Sequence, residues 1–360
     1  MMDTFTYEAL PIRVRFGRGM VSQVAAEVAH LGATRALVLT TPQQEAEGRR
    51  IGALLGDAFV GVFPGAAMHT PTDVTEKALE ALKSSDANCV VALGGGSTTG
   101  LGKALALRTG VKQVCIPTTY AGSEMTPILG ETKDGLKTTI KSLEVLPDSV
   151  IYDVDLTLTL PPALSATSGV NAIAHAVEGL YAQDRNPVIS LMAEDGIRTL
   201  ADALPIIVHE PHNLEARTKA LYGAWLCGCV LGAVGMALHH KLCHTLGGSF
   251  NLPHAETHTI VLPHAVAYNA AAAPEAMAAI TRALGAPDAA RGLFDLVRAL
   301  GVPQALSQIG MPADGIEKAA DIAVEKPYWN PRPIARDAIR DLIARAYAGE
   351  RPGATAQRAA

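Results

Sequence analysis

The sequence predicts a two-domain protein, an N-terminal α/β domain on a parallel sheet followed by an all-α C-terminal domain. Three observations predict this. Up to about residue 150, short β-branched runs alternate with helical patterns. From about Pro161 onward, long alanine- and leucine-rich segments take over with few β-branched interruptions. Pro161-Pro162 stands at the change as a hinge, because proline ends one element and can open the next helix. At 360 residues the chain is long enough for two cores.

Taken in order, Arg35–Thr40, Phe59–Phe63, Cys89–Leu93 and Gln113–Ile116 read as buried strands. Asp73–Ser84 between them carries apolar residues at helical spacing. This alternation predicts a parallel sheet with helices on both faces, and ligands beyond the carboxyl ends of its strands. The second half reads as helices over 165–182, 187–207, 214–231, 237–246 and 274–284. The expected boundaries are 1–160 for the α/β domain, 161–352 for the helical domain and 353–360 for a frayed tail. A cleft between the two domains is the natural place for ligands.

Bulk properties narrow the function. Apolar residues make up 49% and charged residues 18%, as in a packed globular enzyme. The formal charge is −5 without long like-charged runs, which argues against nucleic acid or an anionic membrane as partner. It leaves an anionic small molecule open, since a pocket needs only local cations. No apolar stretch reaches a membrane span, and residues 1–15 lack the order of a signal peptide, so cytoplasm is the expected location. Five cysteines, odd in number and in apolar surroundings, read as buried free thiols.

Strand Cys89–Leu93 runs into Gly94-Gly95-Gly96-Ser97-Thr98-Thr99-Gly100-Leu101-Gly102-Lys103. Glycines at a strand end let backbone approach a pyrophosphate, and a following helix offers unpaired amides and a positive dipole end. The pattern is neither the G-x-G-x-x-G fingerprint nor a Walker loop, and a bare glycine turn explains it equally well when taken alone. A second strand end, Thr118-Thr119-Tyr120-Ala121-Gly122-Ser123, adds hydroxyls and favours nucleotide binding. Gly94, Gly95, Gly96, Ser97, Thr98, Thr118, Thr119 and Thr40 are the candidate cofactor residues. Thr40-Thr41-Pro42, where an acid or a cation would separate NAD from NADP, is neither.

Nine of the eleven histidines fall in the helical half. Asn171 and His175 stand four apart and share a helix face, as do His240 and His244, and His254 follows a short loop. Two helices and a loop can converge in this way on a metal. Each histidine singly is more often a satisfied polar contact.

With the glycine loop upstream, Asn171-x-x-x-His175, His244 and His254 after Leu252-Pro253 resemble the iron-type alcohol dehydrogenase superfamily. The resemblance implies a Rossmann-like domain plus a helical domain, an architecture shared with dehydroquinate synthase, and usually a dimer. In that family an aspartate and three histidines bind a divalent metal. His175, His244 and His254 match the histidines, but Asn171 replaces the aspartate, and Gly100 replaces a second aspartate in the glycine loop. Loss of the only anionic ligand argues against a metal.

Met68–Pro71, Gly96–Lys103, Thr118–Pro127, His239–Phe250 and Asn330–Pro333 are similar to one branch of that family, the metal-independent maleylacetate reductases. The resemblance implies reduction of the carbon–carbon double bond of maleylacetate to 3-oxoadipate by NADH or NADPH. It makes His244, His254 and His175 the catalytic candidates. Asn171, His240, Lys241, His69, Tyr120, Ser123 and Arg332 become candidates for a dicarboxylate substrate. Arg332 reads almost equally as a salt-bridge residue. Glu178, on the Asn171 face, reads as a helix-surface or histidine-orienting carboxylate. A metal-dependent alcohol dehydrogenase, a dehydroquinate-synthase-like lyase and a non-catalytic nucleotide binder are the alternatives.

Overall fold

The computed structural model describes residues 4–134, 136–326 and 328–353. Residues 354–360, most of the stretch read as a frayed tail, lie outside them. Residues 9–160 form one compact unit, and residues from Pro161 onward, with those up to Glu8, form the other.

The first unit holds strands β1 (Arg13–Gly17), β2 (Ala36–Leu39), β3 (Phe59–Phe63), β4 (Cys89–Gly94), β5 (Lys112–Pro117), β6 (Ile128–Lys133), β7 (Leu136–Lys141) and β8 (Ser149–Asp153). Its helices are α1 (Val24–His30), α2 (Glu45–Leu55), α3 (Thr72–Ser84) and α4 (Gly96–Thr109). Six strands make a parallel sheet in the order β1-β8-β5-β4-β2-β3, and β6 and β7 make an antiparallel hairpin. Alternate strand residues feed opposite faces. Val38, Val91, Val114 and Ile151 pack with α1 and α2, whereas Leu37, Leu39 and Val90 pack with α3 and α4.

The chain steps outward from β2 to β3 and then returns past β2 to β4. Neighbouring strands β2 and β4 therefore send their connections to opposite faces, and their carboxyl ends flank a topological switch point. The glycine loop leaves from this point.

Both hairpin strands, β6 and β7, and two strands of the parallel sheet escaped the sequence reading. Those two are β1 and β8. β1 is RVRFG, alternating charge with apolar residues at a sheet edge, and β8 is SVIYD, fully buried yet half polar. They are joined by one carboxylate. Glu27 accepts from Arg13 Nε at 3.0 Å, Arg15 Nε at 2.8 Å and Ser149 Oγ at 2.8 Å. Burial pushes its pKa up, but the hydrogen bonds from Arg15, Ser149 and Arg13 and the charge of Arg13 hold it below the ordinary 4.5.

Among the described residues the second unit is helical throughout. Its helices are α5 (Pro162–Leu180), α6 (Pro187–His209), α7 (Leu214–Ala233), α8 (Leu238–Phe250), α9 (His254–Asn269), α10 (Pro274–Leu284), α11 (Ala289–Ala299), α12 (Gly315–Glu325) and α13 (Arg336–Ala348). α5 is buried from Ser165 to Leu180. It accepts close neighbours because Gly169 lies under Leu204 and Gly179 under Val230. α6 and α7 approach through Gly196 and Gly223, each near the other's carbonyl oxygen. Of the five free cysteines four are buried, and Cys229 is only half-buried.

Glu27→Gln should lower the stability of the folded protein at pH 7 by about 2 kcal/mol in urea unfolding, because the loss of charge weakens a largely buried cluster whose arginines are half-exposed. The sign with pH follows from the lowered pKa. The carboxylate stabilises the fold above its ordinary 4.5, and that contribution is lost as pH falls through the lower folded value. The wild-type advantage over the variant should therefore shrink on acidification below about pH 4.

Candidate active site

The glycine loop is built for close approach. Gly94 has φ +143°, and a Cβ there would stand 2.8 Å from Gln44 Oε1 and from Thr98 Oγ1. A Cβ at Gly95 would stand 2.9 Å from Thr119 Oγ1, whereas Gly96 faces open space. α4 opens at Gly96 with no side chain capping its first amides and no acid in its first turn. Bare amides, a helix dipole and absent side chains make a cradle for an anion. Ser97 is half-buried beside it.

Three expected cofactor residues take other roles. Thr40 is fully buried and lies over Gly48 of α2, because its position in the strand pleat turns it into the core. Thr41 and Gln44 stand at that strand end instead, with Thr41 Oγ1 3.4 Å from Gln44 Oε1. Thr98 closes the turn by donating to the Gly95 carbonyl at 2.9 Å. Thr118 accepts from Gln44 Nε2 at 3.2 Å and so ties the ends of β2 and β5 together.

Lys103, unremarked within the glycine string, is fully buried about two turns into α4. Its ammonium donates to the Ser123 carbonyl at 2.6 Å, Thr126 carbonyl at 2.7 Å, Thr126 Oγ1 at 2.9 Å and Ile128 carbonyl at 2.8 Å. Burial lowers its pKa to about 7, although four oxygen acceptors favour the charged form. The lysine pins the segment after β5 to the helix that carries the cradle.

Ser123 is thus half-buried and occupied through its carbonyl, and Tyr120 is fully buried, which removes it as a surface donor. His69 is exposed in a left-handed conformation, φ +64°, and Thr70 follows at +47°. Thr70 fills the space beside Gly100, so any side chain at position 100 would collide with its hydroxyl.

In the helical unit the histidines gather. His175 from α5, His239, His240 and His244 from α8, and His254 and His258 from α9 form one connected set. Ring centroids lie 5.1 Å apart for His175 and His240, 5.0 Å for His240 and His258, 4.9 Å for His239 and His258, and 4.2 Å for His254 and His258. His244 is 6.4 Å from His240. It is therefore His240 that faces His175 most closely among the two α8 positions considered from sequence. His254 is the first residue of α9 rather than a loop residue, since Pro253 opens that helix. His239 and His258 were missed, although His258 repeats the spacing of four from His254.

Glu178 organises this set and is no surface residue. It accepts from the backbone N–H of Ala237 at 2.8 Å and of His239 at 2.7 Å, at the start of α8, and from His240 Nδ1 at 2.8 Å. The network places the His240 proton on Nδ1 and leaves Nε2 bare. His239 Nε2 donates to the His258 carbonyl at 2.9 Å. Burial, then the neighbouring rings, pushes His175, His240 and His258 well below the ordinary 6.5, and His239 down to about 4. These four are neutral imidazoles at pH 7. His244 and His254 form the exposed edge of the set.

Asn171 lies one turn before His175, its amide oxygen buried and without a protein partner. Lys241 is half-buried with its ammonium 5.7 Å over the Tyr328 ring. Arg332 stacks on Tyr268 at 4.1 Å and donates to the Tyr268 carbonyl at 3.1 Å. Among the described residues it makes no salt bridge and shows no contact with the histidine set.

Both halves of the chain match family models, iron-containing alcohol dehydrogenase over residues 11–154 and the C-terminal model of the Fe-containing alcohol dehydrogenase family over 165–347. The chain belongs to the iron-containing alcohol dehydrogenase family, whose members are nicotinamide-dependent oxidoreductases. Within that family it groups with the maleylacetate reductases. It is 57% identical to the maleylacetate reductase of Burkholderia cepacia, over 98% of this chain and 100% of that one. The crystal structure of maleylacetate reductase from Agrobacterium tumefaciens superposes with a TM-score of 0.95 at 56% identity, covering 98% and 100% of the two chains. A structure described as a putative alcohol dehydrogenase from Ralstonia eutropha JMP134 gives 0.96 at 61% identity over the same shares.

The family description implies iron, and the donor set answers poorly. Ring nitrogens of His239, His240 and His258 come within 4.8 Å of one another. His175 Nδ1 and His240 Nε2 have no protein partner. All are neutral, and the nearby carboxylate, Glu178, is committed to backbone amides and His240. A divalent ion here would gain no ligand charge, so the residues do not fit a resident iron centre. The glycine cradle, by contrast, fits a pyrophosphate.

Gly95→Ala should fill that cradle. The expected result is a KM for the nicotinamide raised about tenfold, with kcat within a few-fold, in initial-rate kinetics. An unchanged KM would remove the cradle's role.

Proposed function

We propose that this protein reduces the carbon–carbon double bond of maleylacetate to 3-oxoadipate with NADH or NADPH, and does so without a metal. The observation that carries the reading is identity above half, along nearly the whole chain, to maleylacetate reductases, joined to a histidine set without an anionic ligand.

When bound, the nicotinamide supplies the hydride. The residues of this chain supply the rest. Hydride addition to an alkene conjugated with a ketone leaves an enolate, whose charge already rests on oxygen, so donors suffice where an alkoxide would call for a Lewis acid. His244 and His254, at the exposed edge, are assigned to hydrogen-bond that oxygen and to pass a proton to the neighbouring carbon. His175 and His240 line the same pocket, with His240 held in one tautomer by Glu178. Asn171 contributes an amide. Lys241 and His69 are the cations and donors assigned to the substrate carboxylates. Gly94, Gly95, Gly96, Ser97 and Thr119 are assigned to the cofactor.

The reading includes a homodimer in the cytoplasm. No single helix among the described residues is long and apolar enough to cross a membrane, and the charge of −5 offers no footing for nucleic acid. One observation favours the second reading, a metal-dependent alcohol dehydrogenase. A carboxylate behind a histidine whose other nitrogen is bare is the arrangement that orients metal ligands.

Oxidation of NADH and of NADPH with maleylacetate, before and after exhaustive chelation, separates the two. Turnover with maleylacetate should survive chelation. Loss that only added metal restores would overturn the metal-free mechanism.

Asn171→Asp restores a ligand charge. It should create measurable divalent-ion binding by calorimetry and lower enone turnover about tenfold or more. Unaltered turnover without metal binding would show that the asparagine is incidental.

A further inference from the structure

Nearly every described arginine lies against a carboxylate within 4 Å, or is buried on other polar groups as Arg217 is on the Pro211 carbonyl and Ser165. The three that do neither gather around one cavity of the helical unit, which has a volume of about 230 Å³. Arg332 and Arg345 line it, and Arg291 holds the carbonyl of Pro352, which also lines it, at 3.2 Å.

Arg332 is held ready. Its guanidinium carbon lies 4.1 Å over the centre of the Tyr268 ring, and one nitrogen donates to the Tyr268 carbonyl. A planar group held against a ring and by one donor keeps its other donors within a limited range of directions. The Tyr268 ring is itself tethered, because its hydroxyl donates to the Pro333 carbonyl at 2.7 Å. Arg345 makes no ion pair and no side-chain hydrogen bond among the described residues.

His264 supplies the independent observation. It lines the cavity, is 4% exposed, and its Nε2 is buried without a protein partner. A buried polar nitrogen left unmatched costs free energy unless a ligand or water meets it. The one acid on the cavity wall, Asp341, accepts from Arg340 Nη1 at 3.0 Å and so does not neutralise the two arginines.

We propose that this cavity binds a small oxyanion, a carboxylate or a phosphate, between Arg332 and Arg345 with His264 beneath it. Two guanidinium groups offer the fork geometry that either anion accepts, and the neutral imidazole can donate one further hydrogen bond. The residues belong neither to the histidine set nor to the glycine cradle. The site is therefore a second anion site, independent of the reaction proposed above.

Isothermal titration of the full-length protein with succinate and with inorganic phosphate, each at constant ionic strength, tests this. Arg345→Gln and Arg332→Gln are the variants, since both residues are exposed and their loss spares the core. Saturable binding of one anion is expected, weakened at least tenfold in each variant. Binding of succinate alone identifies a carboxylate site, and binding of phosphate alone a phosphate site. Absence of saturable binding to wild type, or equal binding to wild type and both variants, overturns the proposal. The measurement needs no turnover, so a failed maleylacetate assay leaves its result intact.

Discussion

The carboxylate of Glu178 is the interaction on which the helical unit turns. It comes from the last turns of α5 and caps the first amides of α8, where the helix dipole is positive. The same carboxylate accepts a hydrogen bond from His240 Nδ1. One group therefore fixes where α8 begins, how it is rotated and which nitrogen of His240 is bare. Four of the six clustered histidines are buried, and packing these four rings about 5 Å apart disfavours charge on any of them. Burial keeps them neutral, and Glu178 keeps them aligned.

The sheet unit solves a different problem with the same economy of groups. An anion has to reach the end of β4, and every Cβ in its way is missing at Gly94, Gly95 and Gly96. The backbone freedom this creates is then removed from outside. Gln44 ties to Thr118, and Lys103 spans from α4 to four oxygens between Ser123 and Ile128. A loop without side chains is thus held by side chains anchored elsewhere.

Much of this was legible in the sequence, for identifiable reasons. Strands β2 to β5 and the long helices announced themselves through period and composition, and the start of α10 at Pro274 was read from the sequence. β1 and β8 were invisible because charged and polar residues, some of them held by the distant Glu27, break up the apolar pattern of each strand. Residues spaced by four on one helix could be paired from sequence, which found Asn171 with His175 and His240 with His244. Convergence of three helices could not be seen, so His239 and His258 went unnoticed. The direction of Thr40 and the burial of Tyr120 are tertiary facts that no spacing encodes. The stacking of Arg332 on Tyr268 likewise depends on chain segments 64 residues apart.

The contact between Thr70 and Gly100 carries a historical meaning. The two positions share one small volume, and the left-handed backbone at His69 and Thr70 holds the hydroxyl inside it. An aspartate could not return at position 100 while Thr70 stays where it is. A carboxylate at position 100 is thus blocked as a single step, since the loop around Thr70 has to yield first. Position 100 is in this sense locked by its neighbour, so that a change there works only in concert with Thr70.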